Sequence, residues 1–316
     1  MKDFNVLLGS NDSFHMGNFD KLNMPEGVFL RIYVIRSLDK IESESTNSPQ
    51  IGVSKTNDNV EIQEVSWKEA NKIAFDIFIG HSRDFNNEIF FEEIWKSTSI
   101  KKFLLIRDVS DSIEIRHRCI ELEIKFEKLV FSIFENRIYI ILEKASQLLA
   151  NVDSMSIFRC SLWSKYHSQN ITSHNFISGK NSVSPHFIRR SIAQDQVSIL
   201  KFLFGSVVEL KNYNITKDSS NLDNSLIQNY FISENYSNLI GSVLLDQNYW
   251  PATHGGEIIY KYGQISWDWN RTTYTSLSRS EGLSVFDLPN DANGCDSFTN
   301  AWNSNIRNFL GLENKA

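Results

Sequence analysis

Cysteine is scarce in this chain: Cys119, Cys160 and Cys295 are the only three, far apart among 316 residues. An odd, scattered set gives neither a disulfide framework nor a zinc-ligand pattern, and it fits a reducing compartment. No apolar stretch approaches the length that spans a bilayer, and no basic segment followed by an apolar run opens the chain. The sequence therefore reads as soluble and cytoplasmic, with no membrane partner. Lys and Arg number 32 against 38 Asp and Glu, a net charge of -6, and the basic residues are dispersed. That excludes the electrostatic footprint of a general nucleic-acid binder. Glycine is missing where it would matter most. Asn5 to Leu8 reads as a short buried strand, and Gly9-Ser10-Asn11-Asp12-Ser13 as a turn into a helix. A dinucleotide-binding turn uses G-x-G-x-x-G at such a place, for the tight bend, the approach of backbone to pyrophosphate, and helix–strand packing. Here the three positions are Leu7, Gly9 and Asp12. A carboxylate at the third would repel the phosphates, so NAD(P) is possible but disfavoured.

What is present is an ordinary globular composition, 41% hydrophobic and 22% charged, long enough for two cores. The first part alternates strand and helix signals. Strands are expected at Phe29–Ile35, Phe75–Ile79, Phe103–Ile106 and Leu129–Phe134, with a polar loop over Ile41–Asn59. Ser66-Trp67-Lys68-Glu69 has a capping-box pattern, and Asp84 to Trp95 has helical spacing. Asp111-x-x-Glu114 would cap a helix burying Ile113, His117, Ile120 and Ile124. Strands separated by such helices argue for a parallel sheet built of βαβ units. After a helix around Ile140–Leu149 the reading becomes strand-rich, at Ser156–Trp163, Val207–Tyr213, Leu239–Leu245 and Gly256–Trp269, with Gly263 at a turn. A helix whose apolar face is Ile192, Ala193, Val197, Ile199, Leu200, Leu203 and Phe204 interrupts it and ends at Gly205, and a last helix starts at Phe298.

That order of elements resembles the glucose–fructose oxidoreductase / inositol dehydrogenase / MocA family. The anchors are Leu8-Gly9-Ser10 with His15 and Asn18, Lys102 to Ile106 followed by Ser110-Asp111-Ser112, and Leu200 to Gly205. Gly256-Glu257-Ile258-Ile259, Gly263-Gln264-Ile265-Ser266-Trp267-Asp268 and the final helix complete them. The resemblance implies an α/β chain: a Rossmann-like parallel-sheet domain over residues 1–135, degenerate as a dinucleotide binder, and an α/β domain with a large, mostly antiparallel open sheet over 136–316. It also implies that the open sheet pairs with a second copy or with an active paralogue.

The family's chemistry is where the sequence departs. A Glu-Lys-Pro tripeptide with a proton-transferring lysine is replaced by Arg107-Asp108-Val109. The family's catalytic histidine and the aspartate preceding it correspond to Asp195 and Ser191, and its glycine run to His186-Phe187-Ile188-Arg189. The candidate catalytic residues are accordingly Asp195, His186 and Lys180, with Ser191 and Ser198 on the Asp195 face of the helix. Lys180 or Arg189 could neutralise Asp195. Gly9, Ser10 and Arg36 are the candidate cofactor-binding residues, and His167, His174, His186 and His254 are too dispersed for a metal site. Two functions are consistent with this. The first is a catalytically altered, cofactor-poor protein with a sugar-sized interdomain cleft for a sugar or nucleotide-sugar ligand, in saccharide or surface-polysaccharide biosynthesis. The second is an NAD(P)-dependent sugar oxidoreductase with non-standard catalytic residues.

Overall fold

A computed structural model describes residues 2–9, 26–35, 53–57, 59–65, 67–70, 72–82, 84, 94, 100–111, 113–124, 126–150, 157–167, 185–216, 225–233, 240–246, 248–269, 273–278, 282–287 and 296–310. The chain forms two compact units, the first from residues 1–111, 118–135 and 292–316, the second from 112–117 and 136–291.

The first unit holds a seven-stranded sheet in the order β3-β4-β2-β1-β5-β6-β7. Its strands are β1 (Lys2–Leu8), β2 (Val28–Ile35), β3 (Val53–Asn57), β4 (Val60–Val65), β5 (Ile77–His81), β6 (Lys102–Arg107) and β7 (Leu129–Phe134). All neighbours are parallel except β3 on β4. The strands that covering helices bury on both faces read as continuous apolar runs: Phe103, Leu104, Leu105 and Ile106 are each 0% exposed. Strand order reverses at β1, which pairs with β2 on one side and β5 on the other. This is a doubly wound arrangement, and its parallel pairing is the one the alternating strand and helix signals predict.

Two expectations are corrected here. The loop expected over Ile41–Asn59 contains β3, a polar strand (Val-Ser-Lys-Thr-Asn) that pairs antiparallel at the sheet edge. Edge strands carry polar residues that prevent further pairing, so hydrophobic periodicity does not find them. Helix α2 (Ile113–Ile124), the next after the short α1 (Trp67–Ala70), does bury His117 and Ile120, but Ile124 is 50% exposed. The helix is enclosed all round from Ile115 to Cys119 and leaves the core in its last turn, where Phe126 N–H donates to the Glu121 carbonyl. A single stripe is therefore the wrong description of it. The helix expected over Asp84–Trp95 lies almost wholly outside the described residues.

The second unit holds an eight-stranded sheet, β15-β14-β13-β12-β8-β11-β10-β9. Its strands are β8 (Ile157–His167), β9 (Val207–Thr216), β10 (Ser225–Ser233), β11 (Ile240–Asp246), β12 (Asn248–Tyr260), β13 (Gly263–Asp268), β14 (Thr273–Ser278) and β15 (Gly282–Asp287). Only β8 and β11 run parallel, so the mostly antiparallel sheet is as expected. Gly263 opens β13, and the turn itself is Lys261–Tyr262. Helices α3 (Asn136–Leu149) and α4 (Pro185–Phe204) belong to this unit and meet edge-to-face at Tyr139 and Phe202, centroids 6.0 Å apart. Gly205 ends α4 with φ +74° while its N–H donates to the Lys201 carbonyl, the left-handed cap that glycine adopts without a Cβ penalty.

The last helix, α5 (Asp296–Phe309), packs on β6 and β7 of the first sheet. Phe298, Trp302, Ile306 and Leu310 are all buried at helical spacing, which explains why this segment returns to the first core.

Candidate functional site

In a doubly wound sheet, ligands lie beyond the carboxyl ends of the strands where strand order reverses. Here that place is between β1 and β5. Gly9 follows β1 and donates its N–H to the Ile79 carbonyl at 2.9 Å. Gly80 lies beside it in β5. A Cβ on Gly9 would meet Asp84 Oδ2 at 2.6 Å and the Phe78 ring at 2.6 Å; on Gly80 it would meet the same two groups at 2.6 and 2.7 Å. Asp84 Oδ2 also accepts the His81 N–H at 2.9 Å. The space that two glycines leave open is filled by a phenyl ring and a carboxylate of the chain itself. A dinucleotide phosphate would meet a negative charge there, so the residues present do not fit that group. Ser10, Asp12 and Arg36 lie outside the described residues.

The ends of β5, β6 and β7 carry a second polar set, of which the sequence patterns mark Arg107, Asp108 and Asp111 but not His81, Ser82 or Glu135. Ser82 Oγ donates to Asp111 Oδ2 at 2.6 Å, and Asp111 Oδ2 also accepts the Asp108 N–H at 3.3 Å. Arg107 Nε is 4.0 Å from the same oxygen, and His81 Nδ1 is 3.6 Å from Glu135 Oε1. Asp111, expected to cap α2, thus ties the end of β5 to the loop after β6. Arg107-Asp108-Val109 stands where the resemblance expects the proton-transferring lysine, and Asp108 and Val109 are 2% and 0% exposed.

In the second unit the candidate acid–base residue has a partner that sequence spacing did not show. Arg116 of α2, 0% exposed, places Nη1 2.5 Å from Asp195 Oδ2 of α4, across 79 residues of sequence. Next along α4, Gln196 Nε2 donates to Ser164 Oγ of β8 at 2.6 Å, and Ser164 pairs in register with His254 of β12. These contacts fix the helix against the sheet and set Asp195 inward. The polar row of α4 is therefore split. Asp195 is buried, Ser191 half-buried, and Ser198 exposed with its hydroxyl donating to the Gln194 carbonyl. His186 lies in the first turn of α4, and Lys180 is outside the described residues.

His254 is buried beside this ion pair. Burial, reinforced by the Arg116 guanidinium, lowers its imidazole from the ordinary 6.5 to about 4. Because the folded value lies below the unfolded one, the unfolded chain takes up the proton first. Stability is then unaffected above about pH 6.5, falls as the pH drops towards 4, and levels off below, with a full loss of ~3 kcal/mol. Urea unfolding at about pH 7.5 and about pH 4.5 checks this. The His254→Gln variant is expected to lose clearly less stability on acidification than the parent, and equal losses would contradict it.

No family model and no curated protein matches the chain. Solved structures do resemble it. An NAD-binding oxidoreductase from Klebsiella pneumoniae is 10% identical over 99% of this chain and 90% of its own, with a TM-score of 0.45. An oxidoreductase from Thermotoga maritima is 12% identical over 99% and 90%, with a TM-score of 0.46. A biliverdin reductase from Synechocystis, solved with biliverdin and NADP+, is 10% identical over 99% and 92%, with a TM-score of 0.43. These likenesses carry no chemistry over to this chain, whose architecture is established by its own strand order.

Proposed function

We propose that this chain keeps a dehydrogenase-type frame without dehydrogenase chemistry, and works as a cytoplasmic, non-redox binding or scaffold protein. The observation that carries the reading is the Arg116–Asp195 pair. Oxidising a carbinol, or reducing the matching carbonyl, needs a group that takes or gives a proton beside the hydride. The resemblance puts that role on Asp195, whose carboxylate is committed as the counter-ion of a fully buried guanidinium. Where the resemblance expects Glu-Lys-Pro stands Arg107-Asp108-Val109, so no lysine is there to transfer a proton. The carboxylate at Gly9 and Gly80 supports the same reading from the cofactor side.

The natural ligand class for such a protein is a sugar or nucleotide sugar, in saccharide or surface-polysaccharide assembly. Its partner is a second copy or an active paralogue, held through the open face of the second sheet. In support, paired positions on neighbouring strands put Leu283 beside Leu277 and Ile232 beside Val208 on that face, exposed by 67%, 48%, 38% and 44%. The row between them includes Arg159, bonded to Glu257, which also accepts from Gln264. Light scattering is expected to give more than the monomer mass. The same sample, with NAD+ or NADP+ and a panel of aldoses and polyols, is expected to show no absorbance rise from reduced cofactor above the buffer rate. Turnover that Asp195→Asn abolishes would overturn the reading.

A further inference from the structure

We propose that Asp84 is a built-in substitute for a bound phosphate, and that the hollow it fills takes a diphosphate group once its side chain is shortened. The inference deepens the non-redox reading and rests on it, since it states what occupies the cofactor's place. Four features of one locus support it.

The carboxylate sits at the carboxyl ends of β1 and β5, on the two strands between which the order reverses. It is seated against two glycines at once: Oδ2 is 2.6 Å from where a Cβ of either Gly9 or Gly80 would stand. No L side chain larger than hydrogen fits at either position without displacing it. Its charge is met by the His81 backbone N–H at 2.9 Å, the type of donor that a phosphate oxygen uses. The floor beneath is the Phe78 ring, 0% exposed, against the same two glycines. Glycines that open a hollow, a backbone donor aimed into it and an anion seated in it are the parts of a phosphate site. Here the anion is covalently part of the chain. A ligand phosphate would have to displace a carboxylate held at the effective concentration of a tethered group, and would meet its charge if it failed.

Shortening the side chain removes both obstacles. Asp84→Ala vacates the part of the hollow that the carboxylate fills, above the Phe78 ring, and removes the charge. Asp84→Ser does the same while leaving a hydroxyl near the His81 N–H, and covers the case in which the alanine variant does not fold. The probe is inorganic pyrophosphate, titrated calorimetrically into each folded protein, with ADP as a second probe. The parent is expected to give no saturable heat up to about 10 mM, and the folded variants to bind pyrophosphate at least roughly tenfold more tightly. Asp84→Asn, which keeps the hollow filled, is expected to stay like the parent. Submillimolar binding by the parent, or folded Ala and Ser variants that bind no better than it, would overturn the inference. Failure of the variants alone leaves the non-redox reading standing. Cofactor turnover by the parent would instead overturn that reading and not the packing of Asp84.

Discussion

Replacement of Arg116 by alanine is expected to cost more stability than any other single polar substitution among the described residues. The guanidinium is 0% exposed and its Nη1 lies 2.5 Å from Asp195, itself only 8% exposed. Removing one partner of a buried pair takes away a charge that offsets the desolvation of the other, a loss of about 3–5 kcal/mol. Against a total stability of roughly 5–15 kcal/mol, that is a third of the fold or more. The cost belongs to the interaction between the two charges, so it is non-additive. Adding Asp195→Asn to the alanine variant is expected to recover part of the loss, whereas Asp195→Asn alone is destabilising. Urea unfolding of the four proteins gives the coupling directly. A loss below about 1 kcal/mol for Arg116→Ala would show that the pair is solvated and its carboxylate available for chemistry.

Trp302→Ala is expected to be comparably severe. Trp302 is 1% exposed, stacks on Phe298 with centroids 6.2 Å apart, and anchors α5 to β6 and β7. Truncating a buried tryptophan removes its transfer free energy and opens a cavity, together about 3–5 kcal/mol. The effect is informative because α5 comes last in the chain, yet its contacts lie in the core of the first sheet. Native-state amide exchange is expected to quicken in β6 and β7 of the variant. Unchanged exchange there, with a stability loss under about 1 kcal/mol, would detach α5 from that sheet.

Parts of this architecture are legible without coordinates because the signal is local. Four consecutive buried residues, Phe103 to Ile106, can be so apolar only where both faces of a strand are covered. The spacing of Ile192, Ile199, Leu200, Leu203 and Phe204 and the glycine after them specify α4 and its end together. Other parts are set by pairings distant in sequence. The edge strand β3 is polar because it is an edge, and β14, Thr-Tyr-Thr-Ser-Leu-Ser, is short and rich in Ser and Thr. The inward turn of Asp195 follows from its helix, but its partner, Arg116, comes from an unrelated helix and has no signature in spacing. Nor does periodicity show why Gly9 is glycine. The structure gives the reason in Phe78 and Asp84, which occupy the space a side chain would need.

The central claim, that the chain keeps the doubly wound frame without its dinucleotide, is tested most directly by titrating NADH and NADPH into the purified protein and following nicotinamide fluorescence. The expected result is a linear signal with no saturation up to about 1 mM, the range of affinity left when a like charge occupies the phosphate's place. Saturable binding of either cofactor with a Kd of micromolar order would contradict it.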